Sequence, residues 1–90
     1  MTLSFQLLDQ ALRDEDIEGF IALGAPADEY TSEAHEIASI VNGTSESQMS
    51  EAAILEAFVS VWARSFNLGP EEMEMRLPAI RKVVQQVTTR

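Results

Sequence analysis

The chain reads as all-α: a compact orthogonal bundle of four to six helices around a central apolar helix at about residues 46–66. Three observations carry that reading. Apolar side chains recur at spacings of three and four, which line one face of a helix. No stretch alternates apolar and polar residues as a half-buried strand would. Capping residues and helix-stopping Gly, Asn and Pro fall between the periodic stretches.

Leu3, Leu7, Leu8, Ala11 and Leu12 share one stripe, so a first helix is expected at about residues 3–13, opened by Thr2 or Ser4. The acids Asp14, Glu15 and Asp16 offer cap oxygens and suit the positive end of a short second helix. That helix would turn Ile17, Phe20 and Ile21 inward and stop at Gly24. After the loop Gly24-Ala25-Pro26, Thr31 or Ser32 can cap a third helix burying Ala34, Ile37, Ala38 and Val41, with Asn42-Gly43 as its stop. Ser45-Glu46-Ser47-Gln48 matches a capping box, in which the serine oxygen serves an amide three residues on and the glutamine reaches back. It opens the helix that carries Ile54, Leu55, Phe58, Val61, Trp62 and Phe66, apolar on too many sides for a surface position. Asn67-Leu68-Gly69 ends that helix, and Pro70 with Glu71 and Glu72 starts another. Pro78 is expected to kink or divide the remainder, where Ile80, Val83, Val84 and Val87 form the last stripe.

Ninety residues make one helical domain, 1–90. A chain of that length buries only about 60–70% of its unfolded surface, which leaves little room for a deep catalytic cleft. There is no cysteine, which excludes disulfides, thiolate metal sites and a cysteine nucleophile. The N-terminus lacks the basic and apolar regions of a signal peptide, and no run approaches the roughly 20 apolar residues of a bilayer span. A soluble, cytoplasmic protein is expected, in which the sequon Asn42-Gly43-Thr44 has no part.

The net charge is −9, and it is uneven. Residues 1–63 hold twelve of the fifteen acids with Arg13 as their only base, whereas residues 64–90 hold five bases against Glu71, Glu72 and Glu74. Such a surface repels phosphate backbones and anionic membranes, so neither nucleic acid nor membrane is an expected partner. It favours encounter with a basic protein. The plainer account is that acidic surface keeps a small protein soluble.

The chemical motifs are incomplete. Asp14-Glu15-Asp16-Ile17-Glu18-Gly19 resembles the first half of a calcium loop, but Ala25 stands where the bidentate glutamate is required. His35-Glu36 begins like a zinc-binding helix, but Ser39 occupies the position of the second histidine. His35 as a base lacks any recognisable nucleophile or oxyanion donor, and a surface or staple-like place under Tyr30 at the helix start accounts for it more simply. Phe58, Trp62 and Phe66 form a row that fits core packing better than a partner-binding ridge. Met73 and Met75 fit gap-filling in a small core. Arg76, Arg81 and Lys82 form a small basic patch suited to pairing with nearby carboxylates. No catalytic residue, metal ligand or cofactor is expected.

The run Glu15-Asp16-Ile17-Glu18-Gly19-Phe20, the loop Gly24-Ala25-Pro26-Ala27-Asp28-Glu29-Tyr30 with Glu33, and the Phe58…Trp62 helix together resemble a family of small bacterial all-helical proteins of unknown function. That family carries a Gly-Ala-Pro-x-Asp-Glu-Tyr-Asp loop and a later Phe…Trp-Phe helix. Thr31 replaces the last aspartate of the loop, and Glu18 departs from a tighter Asp-Pro-Ile-Gly run. The resemblance covers about two thirds of the chain and implies a bacterial source and an all-α fold, with no activity attached.

The function expected is therefore a non-catalytic interaction protein docking on a basic protein; an immunity-type or antitoxin-type inhibitor would fit this size and charge. Its partner-facing residues would be Asp14, Glu15, Asp16, Asp28, Glu29, Tyr30, Glu33 and Glu36, with Tyr30 as the anchor if exposed. Two alternatives stand beside it. One is a small ligand or metal site around His35 and the Asp28–Glu36 carboxylates. The other is a homo-oligomeric module that buries surplus apolar surface, so that the chain is a monomer or a small homo-oligomer.

Overall fold

The computed structural model describes residues 3–48 and 50–88. Among these the chain is all-helical: α1 (Phe5–Glu15), α2 (Thr31–Asn42), α3 (Glu51–Phe66) and α4 (Pro70–Thr88), with a single 3₁₀ turn at Glu46–Gln48. The helices form a ring in which α1 packs on α2, α2 on α3, α3 on α4 and α4 back on α1. The expectation of one helix at the centre of several neighbours gives way to this ring, where α3 packs chiefly on α2 and α4. The apolar breadth of α3 is nevertheless used: Ile54, Phe58, Val61 and Trp62 are buried, and Leu55, Ala57, Val59, Ala63 and Phe66 flank them half-covered.

Helix α1 begins where Ser4, one of the two expected caps, accepts a hydrogen bond from the Leu7 amide at 3.2 Å. Thr2, the other, lies outside the described residues. Leu8, Ala11 and Leu12 face the core, whereas Leu7 is exposed. The Asn42 side chain holds the two ends of the α1–α2 pair together. Its Oδ1 accepts from the Leu3 amide at 2.7 Å and its Nδ2 donates to the Leu3 carbonyl at 3.2 Å. Near the other end, Thr31 Oγ1 donates to Asp9 Oδ1 at 3.0 Å, so the pair is antiparallel.

The short helix expected after Asp14 does not form; residues 17–30 are a series of turns. Asp16 is the C-cap of α1, in the left-handed region at φ 48, and its amide donates to the Leu12 carbonyl. A short polar side chain is among the few that enter this region without glycine. Gly24, at φ +109, occupies backbone space that any Cβ would strain.

Two starts differ from the expectation. Helix α2 has Tyr30 at its N-cap with no side-chain cap, and Thr31 spends its hydroxyl on Asp9 instead. Helix α3 starts at Glu51, with Ser50 accepting from the Ala53 amide at 3.1 Å. The Ser45–Gln48 capping box closes only the 3₁₀ turn, through the Gln48 amide on the Ser45 carbonyl. The end of α3 matches its sequence signal: Asn67 is left-handed at φ 53, and its amide and that of Leu68 both reach the Ala63 carbonyl. At α4, Glu72 reaches back to the Gly69 amide at 2.9 Å. Pro78 sits inside α4 without dividing it, and Ile80, Val83 and Val84 are buried beyond it. No helix among the described residues is long and apolar enough to cross a membrane.

Candidate functional site

The polar chemistry of the molecule gathers where the 17–30 segment crosses the ends of α3 and α4. Asp16, freed by its left-handed backbone from the helical direction, turns its carboxylate back over the segment. Oδ1 accepts from the Tyr30 hydroxyl at 2.5 Å and from the Ile21 amide at 3.1 Å, while Oδ2 accepts from the Ala22 amide at 2.9 Å. The Tyr30 oxygen in turn accepts from the Glu18 and Phe20 amides at 3.3 and 3.4 Å. Two residues on, Glu18 takes its partners from α3 and α4 instead. Its Oε2 accepts from the Trp62 indole at 2.8 Å and from Arg76 Nε at 3.0 Å, and its Oε1 accepts from Arg76 Nη2 at 2.9 Å. This is a two-pronged guanidinium–carboxylate pair, the geometry in which an ion pair is strongest. The Glu18 side chain is only 5% exposed.

The electrostatics follow from these contacts. Hydrogen bonds from Arg76 hold the Glu18 carboxyl below the usual glutamate range; burial works against them and the Trp62 indole adds to them. At Asp16 burial works to raise the pKa, but the bonds from Tyr30 and from the Ala22 and Ile21 amides outweigh it and leave the group below its ordinary 3.8. Tyr30 moves the other way, pushed well above its usual value by burial and by the carboxylate facing its hydroxyl. Beneath the polar groups lies an aromatic cluster: Trp62 contacts Phe66 at 4.8 Å, Phe58 at 5.3 Å and Tyr30 at 5.5 Å between ring centroids, and Phe20 contacts Phe66 at 5.9 Å.

The expected partner-facing residues divide here. Tyr30 is 1% exposed and cannot be a surface anchor; its ring is core and its hydroxyl is engaged inside the chain. Asp16 is likewise consumed by the segment it caps. Glu15 is half-buried beside Lys82 at 3.4 Å. Glu36 is exposed and paired with Arg64. Asp14 is exposed, accepting from Gln10 at 2.8 Å, and Asp28 is exposed while Glu29 and Glu33 are half-buried. The Asp9–Thr31 contact brings the second half of α1 beside the start of α2, which draws Asp14, Asp28, Glu29 and Glu33 toward the same end of that pair.

His35 is a surface residue, one of the two places expected for it, and its ring stacks on Phe5, with centroids 3.9 Å apart and planes 13° from parallel. Among the described residues no three of His, Asp and Glu are placed to hold a metal ion. An open groove of about 500 Å3 runs between the start of α3 and the end of α4, lined by Glu51, Ala52, Leu55, Arg81, Val84 and Gln85, and contains none of the expected residues. In the row Phe58, Trp62, Phe66 the first two are buried core, as the spacing suggests, and Phe66 packs half-covered against them. Met73 is buried as expected, whereas Met75 is 77% exposed.

Sequence reasoning missed the Glu18–Trp62–Arg76 contact. Its members lie 44 and 58 residues apart, so no local pattern joins them. The one available signal was Ile17, Phe20 and Ile21, three apolar residues in an acidic stretch that must be covered by something. No protein-family model, no curated protein and no solved structure matches the chain.

Proposed function

We propose that the chain is a non-catalytic interaction protein whose acidic surface docks on a basic protein, in the manner of an immunity or antitoxin partner of a bacterial cytoplasm. One observation carries the reading. The bases Arg13, Arg64, Arg76 and Lys82 are each already paired with an acid of the same chain, Asp9, Glu36, Glu18 and Glu15. The remaining charge of a −9 molecule is therefore nearly all carboxylate, with Asp28, Glu29 and Glu33 paired with no cation among the described residues at the α1–α2 end. A field of one sign accelerates encounter with a surface of the other and rejects like-charged partners. The face is built from Asp14, Asp28, Glu29, Glu33 and Glu36, without Tyr30.

The test compares the wild type with a D28N/E29Q/E33Q variant in affinity capture from a bacterial lysate, after circular dichroism has shown both to be folded. A basic protein retained by the wild type, released by added salt and lost by the variant is the expected result. Identical binding by both forms would mean that these carboxylates only solvate the surface.

A further inference from the structure

We propose that residues 17–29 are an acid-releasable clasp: protonation of Asp16 and Glu18 lets the segment lift as a unit while the four helices stay folded, uncovering the cluster of Tyr30, Trp62 and Phe66.

The clasp is held differently from everything beneath it. Asp16 gathers the Tyr30 hydroxyl and the Ile21 and Ala22 amides, and Glu18 gathers the Trp62 indole from α3 and the Arg76 guanidinium from α4. Each acts only as an acceptor for several donors at once, and a protonated carboxyl cannot serve that role on all its oxygens. The buried core, by contrast, contains among the described residues no charged residue and, Tyr30 apart, nothing that titrates. The other charged groups nearby are Glu72, whose carbonyl accepts from Arg76, and the Glu15–Lys82 pair, which joins α1 to α4 rather than holding the segment.

Acid then acts with opposite sign on the two parts. Both folded-state carboxyls lie below their ordinary values. Their contribution is therefore fully present above the ordinary carboxylate range and is lost as the pH falls through the lower, folded values. As the pH falls from neutral toward the pI of about 4.3, the net charge of −9 is neutralised, which relieves the chain's self-repulsion and favours the compact helices. The apolar anchors of the segment are only partly covered: Phe20, Ile17 and Ile21 are half-buried and Leu23 is 85% exposed. Segments with few buried apolar contacts open locally at lower free energy than the core they cover.

The chain has one tryptophan, and it lies under the clasp. Trp62 emission and far-UV circular dichroism are recorded together from neutral pH downward, and amide hydrogen exchange is measured at neutral pH for the wild type, E18Q, D16N and an E15Q control. The expected result is a shift of Trp62 emission with helicity retained. At neutral pH, E18Q should expose the amides of Ile21, Ala22 and Ala25 about tenfold faster while α3 amides stay within about twofold, and E15Q should leave both unchanged. A single acid transition in which emission and helicity fall together would overturn the proposal. So would E18Q and D16N variants that both lose helicity at neutral pH, or that both leave the segment's exchange unaltered.

Discussion

Phe58 and Tyr30 are both fully buried rings of one aromatic cluster, yet they arrive there by different routes. Phe58 sits in a helix that repeats Ile54, Phe58, Val61 and Trp62 toward the core, and apolar burial alone accounts for its place. Tyr30 stands at the end of a turn segment, and its place depends on a carboxylate fourteen residues away accepting from its hydroxyl. The first region is set by the area removed from water, which is indifferent to pH. The second is set by a few directional bonds to ionised groups, which are costly to leave unmade in a buried setting. Two kinds of order in so small a domain imply two kinds of failure.

The sharpest way to break the bundle is Phe58→Ala. Truncating a buried phenylalanine costs about 3–5 kcal/mol, from lost transfer energy and the cavity left behind. That is a large share of the stability of any domain this size. Urea denaturation should show the loss as a lowered midpoint, and the deficit should hold through the acid range because Phe58 lies in a core with no buried charged residue among the described residues. A deficit that disappears in acid would mean that α3 depends on the carboxylate contacts after all.

The legibility of the sequence follows the same division. Helix α2 buries Ala34, Ile37, Ala38 and Val41, and α4 buries Ile80, Val83 and Val84, as periodicity indicates, because burial at spacings of three and four is a local signal. The segment after α1 misleads because its acids look like the opening of a helix, whereas Asp16 is turned left-handed and drawn to Tyr30. The capping box at Ser45 misleads because a box needs only four residues, while helix α3 takes the cap that leads directly into its apolar face, Ser50. For the candidate surface, charge was legible and availability was not. Asp16 and Tyr30 look the same in sequence as Asp28 and Glu29, and only the fold shows which are already engaged.

Tyr30→Phe tests the second region with a smaller effect. The ring and its packing survive, while the Asp16 carboxylate and the Glu18 and Phe20 amides lose a partner. About 1–2 kcal/mol is expected at neutral pH. The sign of the pH dependence is particular. Asp16 lies below its ordinary value in the fold, so its contribution is lost as the pH falls, and the gap between wild type and variant should narrow in acid. Tyr30 lies above its ordinary 10.0, so the wild type should lose stability as the pH rises past that value, a limb the variant lacks. Tyrosinate absorbance, with one tyrosine in the chain, reads that titration directly.

The smallest effect separates a surface pair from a structural one. Glu36 and Arg64 bridge α2 and α3, but their side chains are 46% and 63% exposed. Such pairs contribute about 0.5 kcal/mol, and Glu36→Gln also removes one negative charge from an overcharged molecule, which offsets part of the loss. Thermal unfolding of the variant should therefore stay within about 2–4 °C of the wild type, whereas a larger fall would place Glu36 with Glu18 among the groups that hold the fold. The distinction bears on the proposed surface. A carboxylate whose internal pair is worth little can exchange Arg64 for a cation of a partner at little expense in stability, and Glu36 can; Glu18, 5% exposed and gripped twice by Arg76, cannot.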